Sequence, residues 1–297
     1  MNTKHSTAPV TDTLLYCGDC AQVMAEHIAD NSIDLTVTSP PYDNLRTYNG
    51  YTFDFEAIAA QLWRVTKQGG VVVWVVGDAT INGIETGTSF RQALHFMALG
   101  FNLHDTMIYE KNGASYPNQE RYYQVFEYMF VLSKGAPKTY NPIKDRENRW
   151  FGQKWSKGRT RRDKNGSLTR QDWYDKDAGS KFGVRYNIWR IFVGAGYSHS
   201  DDLALSHPGT FPEALARDHI LSWSNPGDVV LDPMMGSGTT LKMTLLTGRR
   251  AIGIDISAEY VELSRQRIAK VEAQPFLFHP AETEPQTKQA ALYERET

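Results

Sequence analysis

The residues best suited to chemistry form two groups that lie far apart in the chain. The first is Ser39-Pro40-Pro41-Tyr42, at the end of the extended run TVTS. The two prolines fix their own φ, cannot donate backbone hydrogen bonds and hold the preceding residues extended. The Ser39 side-chain oxygen and the Pro40 carbonyl are therefore predicted to be two preset hydrogen-bond acceptors beside an aromatic ring. The alternative interpretation is a rigid turn that only ends a strand.

The second group is a glycine-rich turn that follows the strand DVVLD. Gly236 and Gly238 would let the backbone approach a ligand closely, between Asp232 and Asp255 at the ends of successive strands. The turn lacks the lysine of a P-loop, and Leu241 stands where a dinucleotide fingerprint has its third glycine. A ligand with adenosine, no phosphates, an amino-acid zwitterion and a sulfonium fits these side chains, so we predict S-adenosylmethionine. A purely structural turn is the alternative.

Regular elements must bring these two groups together. Strands are predicted at TLLYCG, IDLTVTS, VVVWVV, DVVLD and AIGID, with two more within FNLHDTMIYEK and VFEYMFVLSK. Helices are predicted over CAQVMAEHIAD, 53–70 (ended by its glycine pair), 89–100 and 211–225. Alternating strands and helices indicate an α/β fold with a mostly parallel, doubly wound sheet, which binds ligands at its carboxyl edge.

Charge is distributed unevenly along the chain. Residues 134–190 contain 16 of the 32 Lys and Arg residues but only 6 of the 34 Asp and Glu residues. A net charge of −2 hides this positive segment, which is typical of a surface that binds a polyanion. We predict a basic insert at 135–206, between a catalytic part at 1–134 and a cofactor-binding part at 207–272, with a flexible tail at 273–297.

Cysteine usage and hydropathy narrow the class of protein. Cys17 and Cys20 are the only cysteines, and no second Cys pair or spaced His pair accompanies them. We therefore expect neither a disulfide framework nor a metal site. The chain has no apolar run long enough to cross a membrane, and its first residues are polar. We therefore expect a cytoplasmic protein.

The tetrad SPPY, followed far along the chain by DPMMGSGTT, resembles the amino-group DNA methyltransferases of bacteria and phages. The order, with the tetrad first, is similar to that of their beta class, and the resemblance covers roughly residues 13–270. It implies a circularly permuted, Rossmann-like S-adenosylmethionine-dependent methyltransferase fold, in which LLYCGD lies beside AIGID. The acids Asp19, Asp255 and Asp232 would then line one edge of the sheet. Ser39 would come next along that edge.

The resemblance also implies roles for the matching residues. The catalytic residues would be Ser39, Pro40, Pro41 and Tyr42, with the tyrosine stacked on a base swung out of the duplex. Asp232 and the glycine turn would hold the methionyl part of the cofactor, Asp255 its ribose hydroxyls and Asp19 its adenine amino group. The predicted cofactor-binding residues are Asp19, Cys20, Thr38, Phe211, Pro212, Asp232, Pro233, Met234, Gly236, Ser237, Gly238, Thr239, Asp255 and Ile256. Met234 departs from the family pattern, which usually has an aromatic residue there; its apolar contact is similar.

The first residue of the tetrad bears on the target base. An Asp there is typical of adenine-N6 enzymes, whereas Ser is common among cytosine-N4 enzymes and occurs in some adenine ones. We predict adenine N6 on its frequency within the beta class, with cytosine N4 as the alternative.

Enzymes that modify RNA or protein glutamine are further alternatives; the protein-modifying ones place the tetrad after the cofactor motif and lack such a basic insert. A non-catalytic DNA-binding module is disfavoured because both motifs are intact. A nicotinamide oxidoreductase is disfavoured because the third glycine is missing.

The basic insert is predicted to be the target-recognition region for double-stranded DNA. For any single arginine in it, a phosphate contact is favoured over a base contact. The tryptophans Trp150, Trp155, Trp173 and Trp189 are predicted to form its small core. The family suggests a homodimer, and the sequence identifies no restriction endonuclease partner. The predicted DNA-binding residues are Arg46, Tyr48, Lys154, Lys157, Arg159, Arg161, Arg162 and Arg170.

Overall fold

The described part of the chain falls into two compact units. The computed structural model describes residues 13–42, 53–113, 121–149, 151, 159–171, 180–194, 198–206, 209 and 212–273. Among these, the residues up to 141 and from 187 onward form the first unit, and those between 142 and 186 form the second. The second unit falls within the predicted insert, whose boundaries and role stay predictions. No helix in the described ranges has the length and apolar character needed to span a bilayer.

The strands and helices are numbered in chain order. The strands are β1 (Thr13–Cys17), β2 (Ile33–Thr38), β3 (Thr66–Val76), β4 (Thr80–Ile81), β5 (Ile84–Glu85), β6 (Asn102–Glu110), β7 (Phe126–Ser133), β8 (Arg146–Glu147), β9 (Arg159–Arg162), β10 (Leu168–Gln171), β11 (Phe182–Gly183), β12 (Ile188–Arg190), β13 (Val229–Asp232) and β14 (Arg250–Asp255). The helices are α1 (Cys20–His27), α2 (Phe55–Val65), α3 (Thr88–Leu99), α4 (Glu213–Trp223), α5 (Thr239–Leu246) and α6 (Ala258–Ala273), with a 3₁₀ helix at Asp202–Ser206.

The first unit is built on an eight-stranded sheet in the order β1-β14-β13-β2-β3-β7-β6-β12. All neighbours pair in parallel except β7, which is antiparallel to both β3 and β6. The strand that comes first in the described chain pairs with the last one, from Thr13 opposite Ala251 to Cys17 opposite Asp255. This pairing confirms the mostly parallel α/β sheet and the permuted strand order.

Hydrophobic clusters formed by the described residues cover the sheet. One contains Met24, Leu62 and Phe96 from the first three helices, together with Ile254 of β14. Another contains residues of the last helices and Ala251 of the same strand. Neighbouring strand residues point to opposite faces, so β14 serves both clusters. In β3 the run VVVWVV is buried along its whole length, as expected for a strand covered on both faces.

The helix predicted over 53–70 is wrong at its end. Helix α2 stops at Val65, and the next five residues belong to β3 because Thr66 already pairs with Ile33. Gly69 takes φ 81°, and a Cβ on Gly70 would lie 2.8 Å from the Thr66 Cγ2. The glycine pair therefore allows an irregular start to a strand rather than ending a helix.

The predicted location of Trp189 is also wrong. Trp189 lies in β12, which pairs in parallel with β6, and its ring stacks on His219 with centroids 4.5 Å apart. It is buried in the first unit, because an apolar ring beside a covered strand packs better there than in a small insert. Trp150, Trp155 and Trp173 lie outside the described residues.

The second unit contains two small antiparallel pairs, β8 with β11 and β9 with β10. The turn between β9 and β10 is closed by Asp163, whose Oδ1 accepts hydrogen bonds from the backbone N–H groups of Asn165 and Ser167, both at 2.9 Å. Such a local carboxylate turn fixes the hairpin connection without a hydrophobic core.

Candidate active site at the carboxyl edge of the sheet

Four polar residues follow one another along the carboxyl edge of the sheet. The strand order β1-β14-β13-β2 brings together Asp19 after β1, Asp255 at the end of β14, Asp232 at the end of β13 and Ser39 after β2. The edge is therefore arranged as the permuted order predicts. Ligands of open α/β sheets bind at this edge.

The glycine turn is shaped by two positive backbone angles. Gly236 has φ 49° and Gly238 has φ 77°. A Cβ on Gly238 would lie 2.7 Å from the Ser264 Oγ, and that hydroxyl donates to the Gly236 carbonyl at 2.8 Å. Helix α5 begins directly after Gly238, so the turn presents backbone to the edge at the positive end of a helix.

Asp232 is a buried carboxyl group held by neutral donors. It is 2% exposed, and its Oδ1 accepts from the Thr38 hydroxyl at 2.8 Å and from the Met234 N–H at 3.1 Å. Burial raises its pKa to about 6, despite these hydrogen bonds. Within the described residues it forms no salt bridge. A positively charged ligand group would supply the missing counter-charge.

Asp255 and Asp19 are both held by backbone groups. Asp255 accepts from the Gly236 N–H through Oδ2 and from the Ser257 N–H through Oδ1, each at 2.9 Å, and burial raises its pKa. Asp19 caps helix α1 by accepting from the Gln22 N–H at 2.9 Å. Each carboxylate keeps lone pairs that a ligand hydroxyl or amino group could use. These residues therefore fit the nucleoside part of a cofactor.

Cys20 follows Asp19 in the first turn of α1. Burial, and then the charge of Asp19, raise the pKa of its thiol to about 12, so it stays neutral. Cys17 and Cys20 are both free thiols. No cluster of three or more His, Cys, Asp or Glu residues suited to a metal occurs in the described ranges.

The tetrad residues are joined by side-chain hydrogen bonds. The Ser39 Oγ lies 2.9 Å from the Tyr42 hydroxyl, and that hydroxyl donates to the Glu127 Oε2 at 2.9 Å. The Glu127 Oε1 in turn forms a salt bridge with Lys111. Burial, and then the charge of Glu127, raise the pKa of Tyr42 well above its usual range, so the phenol stays protonated.

A charged cluster, consisting of Asp201, Glu213, Lys242 and Arg267, lies behind the glycine turn. The Lys242 Nζ donates to Asp201 at 2.6 Å and to Glu213 at 2.7 Å. Arg267, which is 1% exposed, reaches the same two acids. Burial opposes ionisation of Asp201, but hydrogen bonds from both cations lower its pKa to about 2.

The charged cluster also contacts the turn itself. The Arg267 Nη1 donates to the Ser237 carbonyl at 2.6 Å and to the Thr239 hydroxyl at 3.2 Å. Because Glu213 is the first residue of α4, the cluster connects the glycine turn to the start of that helix. The conformation of the turn thus depends on residues from three separate parts of the chain.

Comparison with known proteins identifies the family. The model of a family described as DNA methylase, of the N6/N4 methyltransferase type, matches residues 33–266. The chain belongs to this family. It is 58% identical over 246 residues to the orphan methyltransferase M.BamHII of Bacillus amyloliquefaciens, an alignment that covers 82% of this chain and 92% of the relative.

Solved structures of other DNA methylases share the fold. TTHA0409 of Thermus thermophilus, solved with S-adenosyl-L-methionine, has a TM-score of 0.57 at 23% identity, over 89% of this chain and 97% of its own. The PvuII DNA methyltransferase, which is cytosine-N4-specific, has a TM-score of 0.61 at 18% identity, over 96% of this chain and 92% of its own. At these identities the likeness shows the fold of the methylase.

The remaining predicted site residues are distributed between described and undescribed parts of the methylase. Pro212 caps α4, Pro233 is buried, Met234 packs against the first cluster and Ile256 follows β14. Arg159, Arg161 and Arg162 lie in β9 and Arg170 in β10; the Arg162 side chain is exposed. The predicted residues that lie outside the described ranges are Phe211, Arg46, Tyr48, Lys154 and Lys157.

Several residues of this edge are missing from the sequence prediction. Glu127 is a single acid in the apolar strand FEYMFVLS, and Lys242 is a single cation in the helix TTLKMTLL. An isolated charge in an otherwise apolar element indicates a buried partner, and this signal could have identified both. Arg267 carries no such signal, because its helix is rich in charged residues.

Proposed function

We propose that this DNA methylase transfers a methyl group from S-adenosyl-L-methionine to the exocyclic amino group of a base in double-stranded DNA. One observation carries the proposal. The Thr38 hydroxyl donates to Asp232, and the next residue is Ser39. A single residue thus connects the carboxyl group proposed for the cofactor with the first acceptor of the tetrad, which supports a site where the methyl donor and the base would lie side by side.

The proposed cofactor site follows the edge of the sheet. Asp232 and the Gly236–Thr239 turn would bind the methionyl part, Asp255 the ribose hydroxyls and Asp19 the adenine amino group. The buried carboxyl of Asp232, which has no counter-charge among the described residues, supports this assignment because the ligand's ammonium group would neutralise it. When bound, the cofactor supplies an electrophilic methyl group. The complex of TTHA0409 with this cofactor supports the choice of ligand.

The proposed role of the tetrad is to activate a weak nucleophile. The lone pair of an exocyclic amine is delocalised into its ring, and hydrogen bonds from its N–H groups to Ser39 and the Pro40 carbonyl make the nitrogen more tetrahedral. Such preset acceptors act mainly by orientation and electrostatics. Tyr42 would stack on a base that has been flipped out of the duplex.

Adenine N6 and cytosine N4 are the two candidate target groups. Adenine N6 is proposed from its frequency among methyltransferases with the tetrad first. Cytosine N4 is favoured by Ser39, because serine at this position is common among cytosine-N4 enzymes. Both amines present the same two N–H donors to the same two acceptors, so the proposed chemistry is identical.

We propose that β9 and β10 of the second unit, with the basic residues around them, contact DNA. Arginines in this segment would mainly bind phosphate, which adds affinity and salt dependence without sequence information. Location in the cytoplasm with the nucleoid, and assembly as a homodimer, belong to the same proposal.

The test uses duplex DNA and labelled S-adenosyl-L-methionine. Wild-type protein should transfer label to the duplex, and mass spectrometry of the digested product should contain either N6-methyladenine or N4-methylcytosine. Ser39→Ala should lose most activity. Ser32→Ala, at the other end of the same strand, is the matched control and should retain it. Failure to label any duplex, with label appearing instead on RNA or protein, would overturn the proposal.

A further inference from the structure

Two residues outside both motifs complete a continuous chain of polar contacts with the tetrad. Lys111 follows β6 and Glu127 lies at the start of the antiparallel neighbour β7, so both stand at the carboxyl edge. Their side chains are 26% and 13% exposed. We call Lys111, Glu127, Tyr42 and Ser39 the relay. It consists of one ion pair followed by two hydrogen bonds.

The proton positions in the relay follow from counting donors. A lysine ammonium only donates and a carboxylate only accepts, so Glu127 takes hydrogen bonds from both neighbours. Tyr42 has a single hydroxyl proton, and it is given to Glu127. The contact between the Ser39 and Tyr42 hydroxyls must therefore be donated by Ser39. The raised pKa of Tyr42 agrees with a phenol that keeps its proton.

We propose that Glu127 is a positioning residue that acts through Tyr42 to fix Ser39 as a hydrogen-bond acceptor. With its own proton committed to Tyr42, the Ser39 oxygen presents only lone pairs to the amino group that is methylated. A serine with a freely rotating proton could also donate, and would then oppose the polarisation of the amine. This inference rests on the proposed function and adds a second role for Tyr42 besides stacking.

The isosteric variant Glu127→Gln should reverse the direction of the hydrogen bond between Ser39 and Tyr42. Lys111 can only donate, so it would hold the amide oxygen and leave the amide NH₂ facing the Tyr42 oxygen. Tyr42 would then donate to Ser39, and the Ser39 proton would be free to point at the substrate. The change removes no packing volume, so an effect on methyl transfer reports proton direction rather than a cavity.

The kinetic experiment is a double-mutant cycle on single-turnover methyl transfer. Glu127→Gln should slow transfer on the order of 10- to 100-fold without weakening S-adenosyl-L-methionine or DNA binding. In the Ser39→Ala background it should cause no further loss, because the group it orients is gone. Glu110→Gln, which breaks the ion pair with Arg190 on the neighbouring strands, is the matched control and should keep the wild-type rate.

Tyr42→Phe is a second variant, because it keeps the ring for stacking and removes only the hydroxyl. It should slow transfer to the same extent as Glu127→Gln, and the two changes together should not be additive. An equal loss from Glu127→Gln with and without Ser39 would overturn the inference, since Glu127 would then act only on the fold. A wild-type rate in Glu127→Gln would overturn it as well.

A spectroscopic readout tests the relay without turnover. In protein labelled with ¹³C at the tyrosine ζ carbon, the Tyr42 resonance is assigned by its loss in Tyr42→Phe. It should titrate well above the usual tyrosine range, and at lower pH in Glu127→Gln because a neighbouring negative charge is removed. Titration at an ordinary pH in wild-type protein would contradict the relay. If the wild-type protein transfers no methyl group, the proposed function fails, and this titration still decides the relay.

Discussion

The two halves of the active edge are held in different ways. On the proposed cofactor side, the carboxyl groups of Asp232 and Asp255 accept hydrogen bonds from backbone N–H groups of a turn that is shaped by positive glycine φ angles. On the tetrad side, Ser39 is held by the Tyr42 hydroxyl, which is itself bound to Glu127 of the distant strand β7. The geometry of the first half depends on backbone shape and burial. That of the second depends on which hydroxyl donates each hydrogen bond. We therefore expect the proposed cofactor side to tolerate no loss of charge or shape. On the tetrad side, we expect the effect of a change to depend on whether the Ser39 hydroxyl still donates to Tyr42.

The largest effect should come from Asp232→Ala. The change removes the buried acid that bridges the turn and Thr38, so S-adenosyl-L-methionine binding and methyl transfer should both fall to background. Isothermal titration calorimetry and label transfer measure the two quantities. Asp228→Ala, an acid just before the same strand, is the control. Normal cofactor binding by Asp232→Ala would refute the assignment of this side.

Arg267→Met should have a smaller effect, which is a decrease in the free energy of unfolding of the protein. The change leaves Asp201 and Glu213 with one cation instead of two and frees the Ser237 carbonyl. Loss of one partner from a buried charged network costs about 3–5 kcal/mol. Urea unfolding measures the free energy of unfolding, and Arg265→Met on the exposed face of the same helix should change it little. Equal stability of the two variants would show that the cluster does not support the turn.

The pH dependence of cofactor affinity should separate the two halves further. In the proposed site, only ionised Asp232 would pair with the ligand's ammonium group, and burial raises the pKa of this acid to about 6. Below that pH, affinity should fall by about tenfold per pH unit, and above it affinity should level off. Calorimetry in buffers of different ionisation enthalpy should detect proton release on binding near pH 6. Glu127→Gln should leave this profile unchanged, since it acts on the tetrad side.

The smallest effect should come from Lys111→Met. Glu127 keeps its charge and still accepts from Tyr42, so the proton order of the relay survives. The carboxylate is only held less firmly in its orientation. We therefore expect the single-turnover rate to decrease by about two- to fivefold, which corresponds to the free-energy contribution of a partly exposed ion pair. A loss as large as that of Glu127→Gln would mean that the ion pair, rather than proton direction, controls Ser39.

The sequence predicts the order of the polar residues along the carboxyl edge better than it predicts the side chains that hold them in place. Parallel strands that end in Asp or Ser are visible as local patterns, and the permuted order is implied by the family resemblance that SPPY and the glycine turn carry. The partner of Tyr42 is not visible locally, because Glu127 reaches it only through the antiparallel pairing of β7 with β3. The end of α2 is missed for the same reason, since pairing of Thr66 with Ile33 overrides the pattern of the helix.

The pairing of β1 with β14 has a consequence for synthesis on the ribosome. The tetrad is translated before Asp232, the glycine turn and Asp255. A nascent chain that contains only the tetrad lacks the proposed cofactor-binding residues Asp232 and Asp255. Strand β1 also has no partner strand beside it until β14 has been made. If the proposed site is right, the order of translation therefore delays methyl transfer until β14 has paired with β1.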